Sequence, residues 1–82
     1  MSNYNEAEIA RQRAEDERLL RERTLARIEQ LTGRVPASVL AGGAQRAAQW
    51  KEHAVKARKT AALKVVTVDK LRAALATLEQ YE

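Results

Sequence analysis

The sequence predicts an all-α chain of three helices. Residues 5–32 contain neither Gly nor Pro. Apolar residues from Leu20 to Tyr81 recur mainly at spacings of three and four, the period of a helix face. The one β-like run, "LKVVTV", has no second run to pair with. The expected architecture is a long charged N-terminal helix, a long basic Ala-rich middle helix and a short amphipathic C-terminal helix. They form one domain over residues 1–82, with 1–18 as an extended or exposed arm, and two copies make a dimeric helical bundle.

The first helix is expected over 5–32, capped by Asn5 or Asn3, with Glu6 and Glu8 at the positive end of its dipole. Gly33 ends it, three residues before Pro36. Residues 11–23 are nearly all charged, and the pairs Arg11/Glu15, Glu17/Arg21 and Arg18/Glu22 sit four apart. Such pairs add a few tenths of a kcal/mol each. From Leu20 onward, Leu25, Ile28 and Leu31 supply an apolar stripe.

Residues 33–43, "GRVPASVLAGG", read as a connector with one helical turn that has Pro36 as its first residue. The middle helix is expected over about 44–65. Its stripe runs Leu40, Ala47, Trp50, Ala54, Ala57, Ala61, Val65. The third helix opens with Thr67 as N-cap and Asp69 in its first turn. Val68, Leu71, Leu75 and Leu78 then mark its buried face, with Ala74 and Tyr81 beside them.

Composition limits what this chain does. A chain of 82 residues buries only about 60% of its unfolded surface. Its aromatics are Tyr4, Trp50 and Tyr81, and much of its apolar content is Ala, which buries little area. A second copy is the expected remedy, with Leu20, Leu25, Ile28, Leu31, Trp50, Leu71, Leu75 and Leu78 forming the core or dimer interface. There is no Cys and only one His, so neither disulfides nor a thiolate or His metal site is expected. No membrane-spanning run or signal peptide is read, and a cytoplasmic location is the default.

Charge is distributed unevenly. Residues 1–33 carry net −1, residues 34–72 net +7 and residues 73–82 net −2. Within the basic segment the only acids are Glu52 and Asp69. A one-signed face repels itself, and a polyanion relieves that repulsion by releasing its counterions. Double-stranded DNA is therefore the expected partner. Lys51, Lys56, Arg58, Lys59 and Lys64 form the centre of the contact face, flanked by Arg46, Lys70 and Arg72. Recognition of single strands requires exposed aromatics among the cations, and Trp50 falls on the apolar stripe instead.

Catalytic patterns are missing from the sequence. Ser2 and Ser38 are far in sequence from His53, and Glu15, Asp16 and Glu17 point in three directions around a helix. No enzymatic activity and no cofactor are expected. "LARIEQLTGRVPASVLAGGAQRAAQW" has the helix–Gly turn–helix outline of a helix-turn-helix, but a double Gly falls where the reading helix would start. Over the same residues, 25–50, it resembles the DNA-binding part of plasmid-encoded coiled-coil repressors of the KfrA type. In those, a Gly/Pro connector precedes a Gly pair and a Trp-containing helix. The likeness is local and assigns no family.

Two functional readings follow. The first is a small dimeric DNA-binding protein of a bacterium, plasmid or phage, acting in transcription regulation or DNA maintenance. The second is a helical adaptor or inhibitor that covers an acidic surface on a partner protein. An Ala-rich apolar face is too shallow to anchor in a membrane surface.

Overall fold

The computed structural model describes the backbone of residues 2–63 and 65–82, and the side chains from Asn5 onward within those ranges. The chain is all-α. Helix α1 spans Ser2–Thr32, the single-turn α2 Ala37–Ala41, α3 Ala44–Ala62 and α4 Val68–Glu79. No strand occurs among the described residues.

Nothing in the first residues breaks the helix, so α1 starts at Ser2. Asn5, Glu6 and Glu8 consequently lie inside it rather than at its cap and first turn. It stops where expected, with the Gly33 N–H still donating to the Glu29 carbonyl at 3.0 Å. Arg18 takes Glu22 at 3.0 Å and Glu15 at 3.6 Å. The expected Arg11/Glu15 pair is not formed among the described residues.

Pro36 is the N-cap of α2 rather than its first residue, with ψ 146°. Its carbonyl accepts from the Val39 and Leu40 N–H groups at 3.0 and 3.2 Å. Helix α3 ends three residues earlier than the stripe implied, because Leu63 turns extended at φ −74°, ψ 127°. Both ends of the predicted stripe are corrected by these breaks. Leu40 and Val65 are exposed, the latter to 90%, while their neighbours Val39 and Val66 are buried. Between the breaks the period holds: Trp50, Ala54 and Ala57 are buried, and Ala47 and Ala61 pack against them.

Helix α4 follows its sequence signals throughout. Thr67 caps it, its hydroxyl oxygen accepting from the Lys70 N–H at 3.4 Å, and Asp69 sits in the first turn. Leu71 and Leu78 are fully buried.

Helices α1, α3 and α4 each pack against the other two, forming an up-down-up bundle. Contacts at both ends set the directions. Arg27 of α1 pairs with Glu82 at 2.5 Å, so the C-terminal ends of α1 and α4 lie together. At the opposite end, residues 65–68 line a crevice with Ala14, Glu17, Arg18 and Arg21. The His53 and Tyr81 rings, 5.3 Å apart, place α4 against one flank of α3. Leu25, Ile28 and Glu29 share a cleft with Arg58, Ala61 and Ala62, which places α1 against the other flank.

The sequence-predicted apolar residues converge inside this single chain. Ile28, Leu31, Trp50, Leu71 and Leu78 are buried, and Leu20, Leu25 and Leu75 are half-buried. Alanines on α3 let the three helices approach closely, and Trp50 fills the space they leave. Residues 5–19 of α1 are exposed, and those before Ala14 extend past the crevice with residues 65–68, in a molecule with extents of 62 × 20 × 15 Å.

Candidate nucleic-acid interface

Because α3 buries only the face bearing Trp50, Ala54 and Ala57, more than half of its circumference meets solvent. At about 100° per residue, Lys51 and Arg58 project along the flank beside α1. Lys56 projects along the flank beside α4, and Lys59 from the outer surface between them. All four are exposed. The seam between the flanks is made of small side chains, chiefly Ala48 and Val55, together with Glu52. Lys64 lies outside the described residues.

Carboxylates barely compensate this surface. Lys56 pairs with Glu52 at 3.5 Å, with both side chains about 70% exposed. An exposed i,i+4 pair of this kind contributes only about 0.3–0.5 kcal/mol and exchanges readily for another anion. Among the described residues, Lys51, Arg58, Lys59, Lys70 and Arg72 make no ion pair within 4.0 Å. The acids of the N-terminal arm do not reach α3.

The three flanking cations separate. Lys70 lies on the flank of α4 that faces α3, as Tyr81 does, and extends the basic surface. Arg72, two residues on, falls on the opposite flank toward α1. Arg46 turns away from the outer surface of α3. It lines a cleft of about 320 Å³ with Ser38, Tyr81 and Glu82 at the end of the bundle. Gly42 makes room for it, since a Cβ there would stand 2.3 Å from the Arg46 Cδ.

The start of α3 is an additional feature. Gly43 caps it at φ 88°, ψ −176° with no side-chain acceptor, and there is no acid in the first turn. The first intrahelical bond runs from the Ala47 N–H to the Gly43 carbonyl at 3.1 Å. The N–H groups before it are left for an external acceptor, and the helix dipole favours an anion there.

The sequence reading missed the Glu52–Lys56 pair, although its spacing of four was visible. Arg46 stands one turn before the buried Trp50, a local sign that it borders the packed face, while the residues it meets there, Tyr81 and Glu82, lie about 35 positions away. Among the described residues, no group of His, Asp and Glu side chains is placed to hold a metal ion, and no helix is long and apolar enough to cross a membrane. Comparison with protein-family models, curated proteins and solved structures gives no match.

Proposed function

We propose that this chain is a small non-catalytic DNA-binding protein that lays α3 along the duplex backbone, in a regulatory or DNA-maintenance role. The observation that carries this reading is the outer half of α3. Cations stand on both of its flanks, small residues and Glu52 lie between them, and that one carboxylate pairs only with Lys56 across an exposed 3.5 Å contact.

The geometry suits a groove. A major groove about 12 Å wide admits one helix and places phosphates along both walls. Lys51 and Arg58 face one wall and Lys56 the other, and Ala48 and Val55 let the helix axis come close to the base edges. Double strands are favoured over single strands because the stacking surfaces among the described residues are already occupied. Trp50 is 2% exposed, and the Tyr81 ring is engaged by His53.

Fluorescence-anisotropy titration of labelled duplex DNA at several salt concentrations tests the reading. Affinity should fall steeply with salt, and Lys56→Ala should reduce the log–log slope by about 0.9, the value for one phosphate contact on B-DNA. Absence of binding at the lowest salt concentration removes the proposal.

A further inference from the structure

Beyond nucleic acid, the structure points to a second ligand for the same helix: we propose that the N-terminal arm of a second copy of this chain docks along the α1-side flank of α3. The arm and that flank complement each other in period, length and charge.

Period comes first. On α3 the residues Ala44, Ala48, Lys51, Val55, Arg58 and Ala62 follow at four, three, four, three and four, and all are exposed. On the arm, Asn5, Ile9, Gln12, Asp16 and Leu19 follow at four, three, four and three, and all are exposed. Alternating steps of four and three place each set along one side of its helix, with Ile9 and Leu19 the apolar members on the arm. Small residues on the α3 seam permit close approach, and the stems of Lys51 and Arg58 add apolar surface beneath their charged heads.

Length agrees as well. Residues 5–19 span about 22 Å and α3 about 28 Å, at 1.5 Å per residue. The arm therefore covers most of the strip without passing its ends.

Charge decides the occupant. Residues 5–19 hold five acids and three Arg, net −2, whereas the strip carries Lys51 and Arg58 with no acid of its own. The nearby α1 carboxylate Glu29 shares a cleft with Arg58 without an ion pair within 4.0 Å. Among the described residues, Glu8 and Asp16 make no ion pair within 4.0 Å, nor do Lys51 and Arg58. Docking pairs unmatched charges of opposite sign on the two surfaces. It also covers Ile9, which is 49% exposed, and Val55, which is 52% exposed. Within one chain, among the described residues, only Ala14, Glu17 and Arg18 of the arm border another segment, residues 65–68, and helices of this length in water rely on packing for stability.

Molar mass by light scattering, measured without nucleic acid at low and high salt, tests the docking separately from the DNA reading. The chain should associate at low salt and dissociate at high salt. Lys51→Glu with Arg58→Glu should abolish association, as should Glu8→Lys with Asp16→Lys. Mixing the two double variants should restore it, because every arm then meets a strip of opposite sign. All four residues are exposed, and an unchanged urea midpoint for each variant confirms that the bundle is intact. Two results overturn the proposal: a chain that is monomeric at low salt, leaving the strip to nucleic acid or another protein's acidic helix, or reversed variants that associate as before.

Discussion

Trp50 carries more of this bundle than any other side chain. It is the largest fully buried residue, and the face around it is mostly Ala. A chain of this size is stable by only about 4–12 kcal/mol. Trp50→Ala should therefore cost about 3–5 kcal/mol and leave much of the population unfolded in urea titrations followed by circular dichroism. Trp50→Phe should cost much less. The indole Nε1 is buried with no hydrogen-bond partner, and the loss of such a group recovers about 1–3 kcal/mol of desolvation. Equal losses for the two variants would contradict this account. The glycines contrast in a similar way. Gly43 holds a backbone conformation that is almost exclusive to glycine, so Gly43→Ala should destabilise by about 1–3 kcal/mol. At Gly33 φ is not positive, and a Cβ would meet the Glu29 and Gln30 carbonyls at an ordinary 3.5 and 3.7 Å. Gly33→Ala should stay within about 0.5 kcal/mol of the parent chain in the same titration.

Among the helices, α4 depends most visibly on its start. Thr67→Ala removes the acceptor for the Lys70 N–H and should cost about 1 kcal/mol. For a domain of this size that lowers Tm by about 4–8 °C in a thermal scan, and Thr67→Ser should restore most of the loss. This helix was legible from sequence in every part, because cap, first-turn acid and stripe are local signals that agree. The ends of α3 were not legible. A three-four period says which residues share a face only while the helix is continuous, and it cannot report where continuity fails. Leu40 lies in a separate helix and Val65 beyond an extended Leu63, so the stripe was carried one element too far at each end. The candidate site divides along the same line. The exposure of Lys51, Lys56, Arg58 and Lys59 followed from the α3 period alone. The parting of Lys70 from Arg72, two residues apart, and the place of Arg46, one turn before Trp50, also follow from helix geometry. Which neighbour each flank meets depends on how α4 lies, and single-sequence reasoning has no access to that.

Across the whole molecule, positive charge and packing are separated. The bundle is held by an apolar face of α3, while the cations on its other side repel one another with little to offset them. Both functional readings require that repulsion, and it has a consequence measurable with no ligand present. Added salt screens exposed like charges within a Debye length of about 8–10 Å. At a protein concentration low enough for the chain to be monomeric by light scattering, Tm should rise as sodium chloride is added from low concentration, because screening relieves more repulsion than attraction. Arg18 with Glu15 and Glu22 contributes in the opposite sense, since screening weakens attractive pairs. That contribution belongs to the arm, so a chain lacking residues 1–13 but keeping Arg18 should show the same rise. Deleting those residues should also leave the urea midpoint unchanged, as no core residue lies among them. In Lys59→Gln the salt-induced rise should shrink, because one member of the repelling set is gone. A Tm that falls with salt in the monomeric parent chain would mean that attractive pairs dominate its surface. In that case α3 would have no unmet positive charge to offer either to a duplex or to the arm of a second copy.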